Sequence, residues 1–192
     1  MTLPFDLVIF SSRCRLRAPS RKDISHVFSA TRYVGFNDGM LWDAPASEEE
    51  LLEPLERNLR AWETGDSFTF TIEARDQAEF LGRIGIRRTP SPSVWDIGFW
   101  LHPAQQGQGF MTEAALAVID FGFHQLGAEV IEACHATWNT RSRSVLERIG
   151  MIEVEFVPHG FQKRGQWVPE YRMRVEKKAK NRIEPTAGAC TI

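Results

Sequence analysis

The spacing of apolar residues changes period several times along the chain. In SFTFTIEA, residues 67–74, Phe68, Phe70 and Ile72 alternate with Thr69, Thr71 and Glu73. A period of two predicts a strand with one face in the core. The turn at Arg75-Asp76-Gln77 and the run EFLGRIGIRR predict its hairpin partner. VWDIGFWLHP, ended by Pro103, predicts a longer strand, EVIEACHAT another, and IEVEFVPHG with WVPEYRMRVEK a final pair. LVIFSSRCRLR, ahead of Pro19, reads as one first strand. Elsewhere the period is helical. Ser20 and Asp23 form a capped start, with Ile24, Val27 and Phe28 on one face. Ser47 and Glu50 have capping-box spacing ahead of the stripe Leu51, Leu55, Leu59 and Trp62, and Pro54 predicts a kink. EAALAVIDFGFHQL is a third helix. NTRSRSVLERIGM is a fourth, with Asn139 as N-cap, Val145, Leu146 and Ile149 inward, and Gly150 as its stop.

The order is strand, two helices, three strands, helix, strand, helix, two strands. It predicts an α/β (α+β) domain with one mixed, mainly antiparallel sheet of six to seven strands and helices on both faces. That domain is expected over residues 1–177, with the aperiodic stretch 178–192 as a flexible tail. At 192 residues, with 43% hydrophobic and 25% charged residues, a single domain can bury a sizeable core without staples.

Composition removes several functions. A net charge of -2 gives no global basic field for nucleic acid, and Lys177, Lys178, Lys180 and Arg182 form only a local run. Cys14, Cys134 and Cys190 lie far apart with no CxxC pair, so neither a disulfide framework nor a zinc site is expected, and a reducing, cytoplasmic setting is the default. Cys134, inside an apolar strand, is expected in the core. The five histidines show no ligand spacing, so no metal is expected. MTLPFDLVIF lacks a basic leader and carries Asp6 in its apolar run, and no stretch is long enough to span a bilayer.

Chemistry concentrates in HPAQQGQGF, residues 102–110, between a strand and a helix. Glycines at a helix start permit unusual dihedrals, and the first helical turn offers free N–H groups and a positive dipole end. Together these can bind phosphate. A Walker motif would need Gly-Lys-Ser/Thr, where Gly109 is followed by Phe110 and Met111. A dinucleotide fingerprint would need a third glycine where Thr112 stands. Taken alone, the run is equally a tight turn.

With NTRSRSVLERIGM after the next strand, the pattern resembles the GNAT acetyltransferases, and within them the ribosomal-protein alanine N-acetyltransferase type. Gln106 to Met111 match that family's phosphate loop, with Met111 a departure from its small last residue. Asn139 to Met151 match its second motif, with Arg148 and Met151 as mild changes. The resemblance covers about residues 13–176, including RCRLRAPSRKD and WDIGFWLHP.

The resemblance implies a GNAT-type fold and acetyl-CoA as co-substrate, with a monomer or homodimer. Gln106, Gly107, Gln108, Gly109, Phe110, Met111 and Thr112 would bind the pyrophosphate. Phe99, Trp100 and Leu101 would form a splayed strand that pairs with the pantetheine arm, and Asn139 and Ser142 would contact that arm. Gly98 in mid-strand fits a bulge or close approach. Direct attack of an amine on the thioester passes through a tetrahedral oxyanion, for which an N–H near Trp100 or Leu101 is the expected donor. Asp96 is the favoured base and Glu170 the runner-up. The family's helix tyrosine, an acid for the leaving thiolate, is missing. Ser142 is the position left, with Tyr171 as a weaker candidate. The implied acceptor is a primary amine, foremost a protein or peptide N-terminal α-amino group. Its pKa of about 8, against about 10.4 for lysine, asks less of a base. Phe36 and Trp42, with Asp38 and Asp43, suit an incoming cationic amine, and GFQKRGQW would form the opposite wall. A small amine (antibiotic, amino acid or polyamine) is the alternative acceptor. A non-catalytic acyl-CoA sensor and a module for another phosphate ligand are the other readings.

Overall fold

The computed structural model describes residues 2–178. Most of the aperiodic segment, and Cys190, lie outside the described residues. One sheet holds β1 (Val8–Phe10), β2 (Cys14–Arg17), β3 (Ser67–Ala74), β4 (Phe80–Arg88), β5 (Val94–Leu101), β6 (Val130–Ala136), β7 (Ile152–Lys163) and β8 (Gln166–Glu176). The order is β1-β2-β3-β4-β5-β6-β8-β7, eight strands rather than six or seven. The extra strand arises because the chain turns at Ser12 and Arg13. Ser11 N–H donates to the Cys14 carbonyl at 2.9 Å, and the expected first strand becomes a small hairpin. Every pairing is antiparallel except β5 with β6. The helices are α1 (Ile24–Thr31), α2 (Leu52–Thr64), α3 (Phe110–His124) and α4 (Thr140–Arg148).

The core forms where the period-two stripe meets α3. Phe68, Phe70, Ile72, Ile84, Ile86 and Ile131 are fully buried, with Ala114, Ala115 and Val118 of α3 in the same cluster. Burying each large side chain stabilises the fold by about 1.5–3 kcal/mol. β2 pairs only Thr71–Ala74 of β3, and Trp62 of α2 packs on Phe68 and Phe70 in the half left over.

The other face of β3 is not solvated as the alternation predicts. Thr71 and Glu73 are buried with Asp23. The Arg17 Nη2 lies 2.7 Å from Asp23 and 2.6 Å from Glu73, and the Thr71 hydroxyl donates to Asp23 at 2.7 Å. Ser20 N–H donates to the same carboxylate at 2.8 Å, so the expected cap at Ser20 and Asp23 forms within this network. Burial pulls the Asp23 carboxyl upward, but the hydrogen bonds from Arg17, Ser20 and Thr71 hold it below the usual range.

Two helix-start details differ from expectation. Glu50 accepts the Ala46 N–H at 2.9 Å, so the second cap begins one residue before Ser47. Pro54 falls in the first turn of α2, where its missing N–H would be unpaired anyway, and no kink results.

Candidate active site

β5 pairs with β4 along its length, from Gly82↔Leu101 to Arg88↔Trp95. Its parallel pairing with β6 runs only from Val94↔Val130 to Asp96↔Glu132. Beyond that row β6 follows β8 instead, as far as Ala136↔Glu170, and a wedge opens between β5 and β6. His102 N–H crosses to the Leu81 carbonyl at 2.8 Å. Backbone groups alternate in direction along a strand, so the N–H groups of Leu101 and Phe99 face the wedge while Trp100 faces β4. The close approach falls at Gly82, where a Cβ would lie 2.3 Å from the Trp100 carbonyl oxygen. Gly98, expected at a bulge, pairs in regular register with Gly85. The free edge of Ile97 to Leu101 can take an extended ligand arm as an added strand.

The glycine run lies at the mouth of this wedge. Gly107 and Gly109 have φ of 81° and 82°, a left-handed conformation that favours glycine. Glu113 N–H, bonded to the Gly109 carbonyl at 3.2 Å, is the first donor of α3 to find a helical acceptor. The N–H groups from Gly107 to Thr112 have no protein acceptor among the described residues, and they stand at the positive end of the helix. Arg13 donates to the Gln108 carbonyl at 3.2 Å and pairs with Glu113 at 2.9 Å, and the Ser11 hydroxyl bonds Glu113 at 2.7 Å. Arg141 of α4 bonds the Gln106 side chain at 2.9 Å. The loop is therefore held at both ends with its donors free, which fits a pyrophosphate. Met111 is buried, so its bulk points into the core and leaves the loop backbone clear.

At the start of α4 the Asn139 Oδ1 accepts the Ser142 N–H at 3.1 Å, the expected cap. Ser142 is half-buried, and its hydroxyl has no protein partner among the described residues. Tyr171 of β8 lies beside His135, ring centroids 5.8 Å apart, with the Arg143 guanidinium 5.7 Å from its ring centre. The Nδ1 of buried His135 lies 2.9 Å from the Ala136 carbonyl, and its Nε2 has no partner among the described residues.

Asp96 occupies the last paired row before the wedge. Burial pushes its carboxyl above the usual range, opposed by the Arg87 guanidinium. Arg87 Nη2 lies 2.6 Å away as an ion pair, at an angle too poor for a hydrogen bond. Glu170, at the far end of the β6–β8 pairing, is also pushed up, first by burial and then by the charge of Asp96. Cys134, expected in the core, is exposed instead, because strand alternation sets it on the face opposite buried Ala133 and His135. The cleft walls and then the Glu170 carboxylate push its thiol upward.

Phe36 packs edge-on against Trp42 and Trp100, with centroids 6.2 and 5.3 Å apart, so the loop after α1 reaches β5. Gly39 lies against the motif helix, where a Cβ would be 3.2 Å from the Asn139 side chain and from the Trp138 ring. Lys163, within the GFQKRGQW stretch expected as the opposite wall, pins the loop. Its Nζ donates to the carbonyls of Met40 and Trp42 at 3.0 and 2.8 Å and pairs with Asp43 at 2.7 Å. Asp43 therefore has a resident cation, and the hydrogen bond from Lys163 holds its carboxyl below the usual range. No local pattern signals this contact, because its partners lie about 120 residues apart in sequence. An open cavity of about 380 Å³ lies between loop and hairpin, lined by Asp38, Trp138, Lys163, Arg164, Trp167 and Val168 among others.

Comparison with known proteins gives the same picture. The acetyltransferase (GNAT) domain family matches residues 13–152. An uncharacterized N-acetyltransferase of Bacillus subtilis, YnaD, is 28% identical over 102 residues, covering 53% of this chain and 60% of that protein. The chain thus matches about three fifths of that relative's length. A GNAT-family acetyltransferase structure from Bacillus anthracis superposes with a TM-score of 0.80 at 22% identity, covering 88% of this chain and 98% of that one. A Salmonella typhimurium acetyl transferase that modifies the N-terminal serine of 50S ribosomal subunit protein L7/L12 superposes with a TM-score of 0.79 at 18% identity, covering 90% and 100%. At these identities the structures establish the fold.

Proposed function

The chain belongs to the GNAT acetyltransferase family, and on that premise we propose that it acetylates the free α-amino group of a protein or peptide N-terminus. Bound acetyl-CoA supplies the acetyl group as an activated thioester. The free N–H groups of Gly107 to Thr112 hold the pyrophosphate, the open edge of β5 pairs with the pantetheine arm, and Asn139 and Ser142 flank it. The Leu101 N–H faces the wedge and donates to the thioester oxygen as negative charge develops there. Asp96 takes the proton from the incoming ammonium, with Glu170 as its neighbour. Ser142, with a hydroxyl free of protein partners, donates a hydrogen bond to the departing sulfur, and the proton that the attacking nitrogen still carries in the tetrahedral intermediate leaves with the thiol as the amide forms. An α-amine titrates near pH 8, so a carboxylate of raised pKa suffices where a lysine would ask more.

The observation that carries the acceptor assignment is the entrance. Trp138 and Trp167 are each about half exposed on the open cavity, and Trp138 directly precedes Asn139 in the chain. Such a mouth suits the end of a polypeptide better than a small amine that must be enclosed. The Salmonella structure, whose target is a protein N-terminus, has the same fold. The test is a competition of free-amine peptides against amino acids, polyamines and amine antibiotics with acetyl-CoA as donor. Peptides should show the highest kcat/KM. Turnover of small amines alone would replace the acceptor and leave the transfer chemistry in place.

A further inference from the structure

On the sheet face that carries Asp96, the register sets β4 and β5 residues in rows: Arg87 with Asp96, Gly85 with Gly98, and Arg83 with Trp100. β3 extends the last two rows with Thr69 and Thr71. Alternate residues of a strand share a face. The middle row therefore has no side chain on β4 or β5, and a Cβ at Gly98 would meet no atom within 4 Å. Two glycines make a bare floor between a carboxylate at one end and a guanidinium at the other.

That guanidinium is anomalous. Arg15, Arg17, Arg87, Arg172 and Arg174 each pair with a carboxylate. Arg83 has neither a carboxylate nor a hydrogen-bond acceptor among the described residues, and its Nε is wholly shielded from solvent. Burial pushes its pKa down to about 10, with the charge of Asp23 opposing and that of Arg17 adding to the fall, so it remains cationic at neutral pH. Asp23 is itself committed to Arg17, Ser20 and Thr71. A guanidinium whose Nε is shielded and has no acceptor is unfavourable, while its half-buried position leaves the group open to a ligand. The planar partner that matches a guanidinium is a carboxylate.

We propose that Arg83 is an anion subsite of the acceptor site, which receives a carboxylate borne by the acceptor at the end of the glycine floor opposite Asp96. This deepens the N-terminal reading and rests on it: the preferred peptide carries Asp or Glu at its second or third residue. Arg83 lies four residues from Arg87, the partner of Asp96, about 13 Å along the strand. An extended peptide covers about 7 Å from its first α-carbon to its third, and the acidic side chain adds to that reach.

The test uses paired peptides that differ only as Asp against Asn at positions two and three, and a second pair, 6-aminohexanoic acid against its amide, whose amine and carboxyl end are held apart by five methylenes. Each is assayed with the parent and with Arg83→Met. Parent protein should prefer the acidic peptide by at least about tenfold in kcat/KM, as expected of a charged hydrogen bond. Arg83→Met should abolish that preference, leaving turnover of the Asn peptide and binding of acetyl-CoA unchanged. Equal turnover of Asp and Asn peptides by the parent would overturn the subsite. So would an Arg83→Met loss that falls equally on both, which is the mark of a merely structural arginine. If no peptide reacts but 6-aminohexanoic acid outruns its amide in an Arg83-dependent way, the subsite stands and the N-terminal reading falls. If no pair is distinguished, or no acceptor reacts, the subsite is rejected.

Discussion

Asp96 sits under two opposed influences, burial raising its carboxyl pKa and Arg87 lowering it, and burial prevails. A base must be ionised, so kcat/KM should rise with pH through a limb above the ordinary carboxylate range. Asp96→Asn should remove that limb and lower kcat by about 10²–10⁴-fold, with acetyl-CoA affinity unchanged. The same shift has a stability counterpart. A carboxyl whose folded pKa is raised contributes stability below its unfolded value and loses it as pH rises through the folded one. Melting temperature against pH should therefore show, in the parent, a loss above the ordinary carboxylate range that Asp96→Asn lacks. A profile without that limb in the parent would remove Asp96 as the base. Asp96 was legible as a candidate only through the family pattern, because its burial depends on the neighbouring strands.

At the scale of elements, the proposal assigns the glycine loop to the co-substrate and the pinned segment to the acceptor. Gly109 has positive φ, and a Cβ there would sit 3.5 Å from the Arg13 guanidinium. Gly109→Val should weaken acetyl-CoA binding at least about tenfold, since a β-branched residue is strained in this conformation. Calorimetric titration checks it. Lys163→Met should free the loop that carries Phe36, Trp42 and Asp43, raising KM for the acceptor while the dissociation constant of acetyl-CoA stays within twofold. Elements governed by neighbours in sequence were readable. The Asn139 cap spans three residues, and Phe68, Phe70 and Ile72 follow the strand period. What was not readable depends on distant partners. Thr71 and Glu73 are buried because Arg17 and Asp23 meet them, and the first strand breaks at a turn that apolar spacing does not mark.

Across the whole molecule, the proposed function depends on one departure from regular pairing. β5 and β6 share only three rows, and they part beyond Asp96, leaving the Leu101 N–H without a strand partner. Nothing in the residues of β5 alone announces that parting, since its pairing with β4 is regular throughout. The paired motifs implied it through the family. The exposure of Cys134 contradicts its apolar setting in sequence, because the alternation of β6 turns it away from the core. The most direct measurement is mass-spectrometric location of the acetyl group on a peptide with a free α-amine and an internal lysine, incubated with the protein and acetyl-CoA. The account predicts one acetyl group, on the α-amine, formed by the parent and not by Asp96→Asn at the same time point. Acetylation at the lysine side chain, or none under conditions where acetyl-CoA binds, would contradict it.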